Sequence, residues 1–327
     1  MHEPILSPCV WHGEELFSRE DWLHELTPEQ TGEIESLKAG TESPTPELDR
    51  LCSGIRNSLE EHSGAALLRG LPVEGMDASC AKKLFLMLAS KIGTPVSQSA
   101  DGQLVFSVKD AGYKEDDPRA RGPNTSKKLT FHSDRCDIIG FLCLKQAMSG
   151  GENDIVSSAA IHNILLRDNP KLLTELYRPF YYKRHNVDTG NSSPYCRQPV
   201  FSVTQGKFAC NLLRVLINRA YAMPELPDLT KLQLEALDAV EHIAGLPEMH
   251  AGMLQQPGDM LLMNNWVTLH RRSEFKDYPE VERKRHILRV WISPPNNRPI
   301  DPLFIDNYGA VEAGSIRGGM VKATRQD

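Results

Sequence analysis

Two segments in the first third of the chain have apolar residues at the spacing of an amphipathic helix. They cover residues 48–62 and 78–92, and the apolar run over residues 64–70 between them is typical of a short buried strand. The remaining pattern predicts strands over residues 104–108, 155–156, 260–263 and 285–292, helices over residues 171–182 and 228–245, and a hairpin over residues 199–208. The pattern therefore predicts a mixed α/β fold with a mainly β core.

A further apolar run, over residues 138–144, follows the hexapeptide Thr130–Arg135, which contains His132 and Asp134. If hexapeptide and run form one β-strand, these two side chains point to the same face, since side chains alternate along a strand. Such a pair is two-thirds of the 2-His-1-carboxylate site of non-haem iron(II) oxygenases. The composition predicts about 1.4 His-x-acidic matches by chance, and the chain has two, the other being His12-x-Glu14. A third ligand must decide between them.

The chain has 327 residues, a length that one β domain with insertions can reach. We expect residues 1–47 to form a covering segment and residues 48–327 a single domain, with helical insertions at about 160–250 and a C-terminal tail. A polar loop over residues 109–129 leads into the His132 segment, and loops of this length often belong to binding sites. Asn124 and Thr125 in this loop are candidate substrate contacts, with the alternative that both are solvated.

Composition and charge restrict the class of protein. The chain is 40% hydrophobic and 24% charged, as a globular protein is. Its net charge of −6, without a basic block, argues against nucleic acid or a membrane surface as a partner. The seven cysteines are odd in number and include no Cys-x-x-Cys pair, so we expect them to be reduced, and the first 38 residues lack a secretory signal. These features predict a cytoplasmic protein that binds a small molecule, and they leave homo-oligomer formation open.

The second half of the chain supplies a third candidate ligand and two candidate anion-binding residues. His270 follows the predicted strand over residues 260–263, and Arg285 and Arg289 share one face of the last predicted strand. Buried guanidinium groups need anionic partners. The two arginines are about 13 Å apart at roughly 3.3 Å per strand residue, too far to bind one carboxylate together. One could therefore hold the distal carboxylate of 2-oxoglutarate, and the other is available for a second anionic group.

His132-x-Asp134, His270 and the Arg285-x-x-x-Arg289 strand together resemble the taurine catabolism dioxygenase (TauD/TfdA) family of iron(II)/2-oxoglutarate-dependent oxygenases. Other similar segments are Gly64–Pro72, Gly93–Val96, Gly150–Glu152, Pro257–Asp259, Leu262–Asn265 and Glu282–His286. The resemblance implies a double-stranded β-helix (jelly-roll) core, Fe(II) on His132, Asp134 and His270, and Arg285 on the far carboxylate of 2-oxoglutarate. It assigns Arg289 to the near carboxylate or to the substrate. It also implies O2 as a co-substrate and, most simply, hydroxylation of an unactivated C–H bond with release of succinate and CO2.

One position departs from the family pattern. Members often have Thr or Ser after the Gly-Gly-acidic turn to hydrogen-bond 2-oxoglutarate, whereas this chain has Asn153, whose amide can donate the same bond. The intact Asp134 disfavours a halogenase, which in related families lacks that carboxylate. Arg289 favours a small substrate that carries a carboxylate, sulfonate or phosphonate, such as an amino-acid-like metabolite.

Several alternatives stay open at this point. Desaturation, cyclisation or cleavage could follow from the same bound state, and a non-catalytic binding barrel or a zinc hydrolase could use the same three ligands. We expect Asn264 and Asn265 to shape the turn that orients His270. The remaining assignments are that Ser158 is a helix N-cap, that His12 and Glu14 lie on the surface, and that His162, His242 and His250 are solvated or cap helices.

Overall fold

The structure, a computed structural model, describes residues 2–41, 43–113, 122–185 and 188–320. Its helices are α1 (Pro28–Lys38), α2 (Pro46–Glu61), α3 (Ala78–Ile92), α4 (Ser158–Asp168), α5 (Pro170–Leu176), α6 (Arg214–Tyr221), α7 (Lys231–Gly245) and α8 (Ile305–Tyr308). Its strands are β1 (Leu23–Glu25), β2 (Ala65–Arg69), β3 (Thr94–Val96), β4 (Val105–Val108), β5 (Ile138–Lys145), β6 (Ser149–Gly150), β7 (Asn153–Ser157), β8 (Pro179–Lys183), β9 (Tyr195–Pro199), β10 (Phe201–Thr204), β11 (Lys207–Cys210), β12 (His250–Met253), β13 (Met260–Asn264), β14 (Thr268–Arg272), β15 (Phe275–Lys276) and β16 (His286–Ser293).

Two sheets packed face to face form the core. The larger has the strand order β1-β2-β13-β5-β16-β3, with β4 also paired to β16, and only the β1–β2 pair is parallel. The smaller has the order β12-β7-β14 and is antiparallel. Ile155 and Ala251 of the smaller sheet pack in one buried cluster with Ile139, Leu261 and Trp291 of the larger. This arrangement is a jelly-roll core within a mixed α/β chain, as the sequence predicted.

Helices cover the outer faces of both sheets. The apolar sides of α2 and α3, which include Ile55, Leu59 and Leu88, pack on Leu262 and Leu288 of the larger sheet. These are the two helices that the apolar spacing predicted, and burial of that stripe stabilises them more than helix propensity does. Helices α4 to α7 form a second apolar cluster that covers β7 and β14.

The structure corrects three local predictions. The helix predicted over residues 171–182 ends at Leu176, and residues 179–183 form strand β8, because Pro179 disfavours helical conformation in the residue before it. The N-cap of α4 is Ser157, whose side chain accepts a hydrogen bond from the backbone N–H of Ala160 at 3.0 Å. His132 and Asp134 precede β5 and do not belong to it, since β5 begins at Ile138.

The histidines outside the site follow the prediction in part. His162 was predicted to be solvated or a cap, but it is fully buried, and its Nε2 lies 2.9 Å from the Tyr177 hydroxyl. His250 caps a helix as predicted, because its Nδ1 lies 3.1 Å from the carbonyl oxygen of Ala244 in the last turn of α7. His242 and His12 are exposed.

The N-terminal segment is part of the core packing. Trp11 and Leu16 are buried in the cluster between the sheets, and β1 extends the larger sheet. The division between a covering segment and a domain at residue 47 stays a prediction. None of the helices that the structure describes is long and apolar enough to span a bilayer.

Candidate metal centre and cavity

Three candidate ligands from two distant parts of the chain come together between the sheets. His132 and His270 form an isolated antiparallel bridge, in which the backbone N–H of each donates to the carbonyl oxygen of the other at 2.9 Å. Asp134 lies two residues further on, and its Oδ2 is 3.9 Å from Nε2 of His270. One ligand atom from each of the three residues lies within 4.8 Å of the other two. The chain therefore contains a His-Asp-His group that is able to bind a metal ion.

The protonation states of the two histidines suit metal binding. His132 Nδ1 lies 2.8 Å from the carbonyl oxygen of Thr130, which can only accept, so Nδ1 carries the proton and Nε2 has a free lone pair. Burial, and then the neighbouring His132, lower the pKa of His270 to about 3, which keeps its imidazole neutral. Its Nδ1 is buried and has no hydrogen-bond partner in the part of the chain that the structure describes. Two imidazoles and one carboxylate fit Fe(II), and such a set leaves further coordination positions open.

Asn265 holds the segment that contains Asp134. Its side-chain oxygen accepts from the backbone N–H of Asp134 at 3.0 Å, and its own N–H donates to the carbonyl oxygen of Asp137 at 2.9 Å. Asn264 anchors the same turn to α2 by donating from Nδ2 to Leu59 O at 2.9 Å. The two asparagines thus shape the turn before β14, as predicted, and Asn265 also fixes the carboxylate ligand.

A cavity of about 410 Å³ opens beside the three ligands. Asp134 is the only carboxylate that lines it among the described residues. Burial acts to raise the pKa of Asp134, but the nearby Arg289 and His132 outweigh burial, so the pKa is lowered. Six cationic side chains line the same space: Lys128, Arg219, Arg271, Arg272, Arg285 and Arg289. Apolar side chains form much of the remaining wall: Phe141, Leu213, Val215, Ile287, Trp291 and Met320. The cavity wall therefore has a strong positive charge, with one carboxylate, Asp134, among six cations.

Arg285 is a buried cation whose side chain has no carboxylate partner among the residues that the structure describes. It is 5% exposed, and its Nη1 has no hydrogen-bond partner among the described residues. Burial lowers the pKa of Arg285 to about 10, against the opposing influence of Cys143 and Asp277. Gly151, at φ +85°, lets the chain pass close by, since a Cβ there would lie 3.1 Å from Arg285 Nε. An unpaired buried charge is costly, so this guanidinium is suited to an anionic ligand.

Arg289 of β16 also faces the cavity but has protein partners. Its Nε donates to Oε1 of Gln98 at 2.6 Å, and its Nη1 lies 3.5 Å from Asp134 Oδ2. Arg285 immediately precedes β16, which begins at His286 and not at residue 285 as predicted, and the strand register shifts between His286 and Ile287. Both arginines nevertheless line the cavity, and of the two only Arg289 is beside a candidate metal ligand.

The other predicted site residues lie at different depths. Asn153 lines the cavity and is buried, and its Nδ2 donates to Gln255 Oε1 at 3.0 Å. Asn124 and Thr125 do not line the cavity, and their loop reaches it through residues 122–123 and 128–130 instead. Contacts of Asn153 with 2-oxoglutarate, and of Asn124 and Thr125 with substrate, stay predictions.

Sequence reasoning missed Arg272. It is 5% exposed, lines the cavity, and donates to the carbonyl oxygens of Lys127 and, at 3.5 Å, of Gly122, so it ties the loop before His132 to β14. A signal was available, because residues 270 and 272 of one strand share a face. Met320 and Arg219 also line the cavity, but no sequence pattern connects either of them to the other site residues.

Comparisons with known proteins agree with this geometry. The family model for "Taurine catabolism dioxygenase TauD, TfdA family" matches residues 26–291. The chain is 31% identical over 317 residues to FR-33289 synthase of Streptomyces rubellomurinus, which covers 91% of this chain and 93% of that protein. It is 27% identical over 330 residues to the taurine hydroxylase-like protein SAT17 of Stachybotrys chartarum, covering 90% of this chain and 83% of that one.

Solved structures show the same fold. Asparagine oxygenase superposes with a TM-score of 0.65 at 18% identity, covering 91% of this chain and 100% of that chain. The non-haem iron oxygenase OrfP, in complex with Fe and alpha-ketoglutaric acid, superposes with a TM-score of 0.60 at 17% identity, covering 83% of this chain and 94% of that chain. The family match and the 31% identical relative show that the chain belongs to the TauD/TfdA family of Fe(II)/2-oxoglutarate-dependent oxygenases.

Proposed function

We propose that this oxygenase hydroxylates an unactivated C–H bond of a small anionic, amino-acid-like metabolite, and that His132, Asp134 and His270 hold its Fe(II). The observation that carries the proposal is the convergence of three ligand atoms within 4.8 Å of one another on the wall of a cavity in which cations outnumber carboxylates. The bound iron and 2-oxoglutarate would supply the oxidising chemistry with O2, releasing succinate and CO2.

Arg285 is assigned to the distal carboxylate of 2-oxoglutarate. Its buried Nη1 lacks a partner among the described residues, so a carboxylate there would complete its hydrogen bonds and neutralise its charge. Asn153 lines the same cavity and is the second candidate contact, although its Nδ2 already donates a hydrogen bond to Gln255. The side-chain oxygen and the second N–H of this amide are what it could offer to the co-substrate.

The charges that remain favour an anionic substrate. Bound Fe(II) and 2-oxoglutarate have opposite charges of equal size, so together they leave the net charge of the cavity wall unchanged. Asp134, 3.5 Å from Arg289, and Asp154, 2.7 Å from Arg271, offset two of the six cations, so an excess of four positive charges is left to attract the substrate. Complementary charge of this kind favours binding and fast capture of a carboxylate, sulfonate or phosphonate. Asparagine oxygenase and OrfP, whose structures contain hydroxyasparagine and hydroxy-L-Arg, support an amino-acid-like molecule.

The chain's own residues would bind and orient the substrate and exclude water. Arg289 lies next to Asp134 and so would hold an anionic group beside the metal ligands. Phe141, Leu213 and Trp291 would enclose the part of the substrate that reacts, and removal of water strengthens each charged contact around it. We place Asn124 and Thr125 behind the loop residues that form the cavity wall, where they would act through that loop. The seven free thiols support a reducing, cytoplasmic location.

The test is spectroscopic. Under argon, Fe(II) and 2-oxoglutarate together are expected to give a visible charge-transfer band with the wild-type protein, and Asp134→Ala is expected to abolish both the band and succinate formation in air. Asp168→Ala, which removes an exposed carboxylate at the end of α4, is the matched control and should leave both unchanged. Retention of the band and of succinate formation in Asp134→Ala would show that the metal assignment is wrong. Product mass then separates hydroxylation, which adds an oxygen atom, from desaturation or cyclisation, which removes two hydrogen atoms.

A further inference from the structure

A small chamber of about 40 Å³ lies next to the main cavity, and Asp134 lines both. Five residues line both spaces, namely Asp134, His185, Leu213, Trp291 and Met320, so the chamber lies directly beside the cavity. Its volume has room for about three water molecules, or for one carboxylate or phosphonate group in their place.

Two guanidinium groups share one carboxylate at this chamber. Arg135 Nη1 donates to Asp188 Oδ2, and Arg184 Nη1 lies 3.5 Å from the same oxygen. The other oxygen of Asp188 accepts from Asn191 Nδ2 at 2.7 Å. The side chains of Arg135, Arg184 and Asp188 are 14%, 8% and 1% exposed. Among the described residues, two buried cations thus face one carboxylate, and both oxygens of that carboxylate already accept hydrogen bonds.

Donor groups are left over in this cluster. Arg135 Nε and Arg184 Nη1 are buried and have no hydrogen-bond partner in the described part of the chain. Burial, against the opposing influence of Asp188, lowers the pKa of Arg135. Unsatisfied buried donors are rare in proteins, and holding Asp188 in place requires only one of the two arginines. The excess of one positive charge and two free donors is the complement of an anion.

The cluster is also rigid. Arg184 Nε donates to Ser193 O at 3.0 Å and its Nη2 donates to Asp306 O at 2.8 Å, so only Nη1 is left to face the chamber. A guanidinium held in this way loses little conformational freedom when it binds a ligand.

We propose that this chamber binds a second anionic group of the substrate, which is therefore a dianion with one charged end at Arg289 and the other at Arg135 and Arg184. The inference rests on the proposed function, because it places the reacting C–H bond between two anion subsites. Asp134 lies between them, since Arg289 approaches its carboxylate and the same residue lines the chamber. The substrate class is then a short carbon chain with an anionic group at each end, such as a phosphonocarboxylate or a dicarboxylate.

Calorimetry on the anaerobic complex with Mn(II) and saturating 2-oxoglutarate tests this, because 2-oxoglutarate then fills its own site. Methylphosphonate is compared with phosphonocarboxylates that contain increasing numbers of methylene groups. We expect one spacing to bind at least about tenfold more tightly than methylphosphonate, since its second group binds at high effective concentration. The proposal is overturned if no spacing binds more tightly than methylphosphonate.

Two variants address the chamber itself. Arg135→Gln removes one cation, and Asn307→Asp adds a competing carboxylate at a lining residue without changing the size of its side chain. Each variant is expected to reduce the affinity of the best dianion, relative to methylphosphonate, about tenfold, which corresponds to one charged hydrogen bond. The affinity for methylphosphonate itself should change by less than about twofold. Arg178→Gln, an exposed arginine paired with Glu175, is the matched control.

The outcomes separate the two proposals. Unchanged dianion binding in Asn307→Asp would refute the chamber even if Arg135→Gln failed to fold. Saturation of the Mn(II) protein with 2-oxoglutarate is first followed by titration. That titration tests the proposed function alone, because 2-oxoglutarate does not bind in the chamber. Failure of that titration would count against the assigned co-substrate, whereas its success with no preference for dianions would count against the chamber only.

Discussion

Nη1 of Arg289 lies 3.5 Å from Oδ2 of Asp134, which places a cation beside the one carboxylate of the metal-binding group. Gln98 holds this guanidinium through Nε at 2.6 Å, so its position does not depend on a ligand. The contact gives Arg289 two effects on the site. It repels a bound dication, and it attracts any anion that approaches the metal.

Replacement of Arg289 should separate these effects. Arg289→Gln removes a positive charge next to the metal, so Mn(II) is expected to bind a few-fold to about tenfold more tightly in calorimetry. Methylphosphonate, measured on the Mn(II)/2-oxoglutarate complex, is expected to bind about tenfold more weakly. Arg178→Gln is again the control. Weaker Mn(II) binding in Arg289→Gln would mean instead that Arg289 is needed to position Asp134.

Arg285 should be dispensable for folding and essential for co-substrate binding. Arg285→Gln removes a buried charge whose Nη1 has no partner in the described ranges, so the melting temperature of the ligand-free protein is expected to stay the same or rise. The variant should bind 2-oxoglutarate about 30-fold more weakly or worse, and lose the rise in melting temperature that Mn(II) and 2-oxoglutarate produce together. Normal 2-oxoglutarate affinity would exclude Arg285 as its carboxylate ligand.

Gly151 offers a paired test of the same site. Alanine at Gly151 or at Gly206 is strained by positive φ, +85° and +77°, and each variant is expected to lose about 1–2 kcal/mol in its free energy of unfolding. A Cβ at residue 151 would also press on Arg285, whereas one at residue 206 meets nothing within 4 Å. Only Gly151→Ala should therefore weaken 2-oxoglutarate binding, measured by calorimetry. Equal affinity in the two variants would show that Arg285 can move aside freely.

His286 should make the protein sensitive to acid. Burial, and then Lys109, Lys82 and Lys145, lower its pKa from 6.5 to about 4. Below pH 6.5 the unfolded chain takes up a proton that the folded chain refuses, so stability falls between about pH 6.5 and pH 4.

His286→Gln is expected to remove about 1–3 kcal/mol of this loss, measured as the difference between urea unfolding at pH 7 and at pH 4.5. The change in unfolding free energy with pH is compared between the two proteins, and not its absolute value, because the substitution also changes the contact with Ser107 at every pH. Parallel curves for the two proteins would contradict the lowered pKa.

Much of the site was predictable because strand alternation is a local property. Alternation led to the prediction that Arg285 and Arg289 face one space and that His132 and Asp134 converge, and both pairs do so. The strand that was expected to orient His132 is absent, however, and a bridge to His270 takes its place. The apolar run that begins at residue 138 made the hexapeptide before it look like part of the same strand. The start of β5 at Ile138 is set by backbone hydrogen bonds, which residue types do not reveal.

The sequence by itself determined the helices α2 and α3, the two arginines four residues apart, and the pair His132 and Asp134, because each depends on spacing within a short segment. The tertiary structure decided that His270 faces His132, that Arg289 lies against Asp134, and that Arg135 and Arg184 meet at Asp188. Those contacts join residues that are far apart in the chain, and strand pairing and loop packing choose them. The spacing of His132-x-Asp134 is no commoner than chance in this sequence, and it is the fold that brings His270 to it and completes the group.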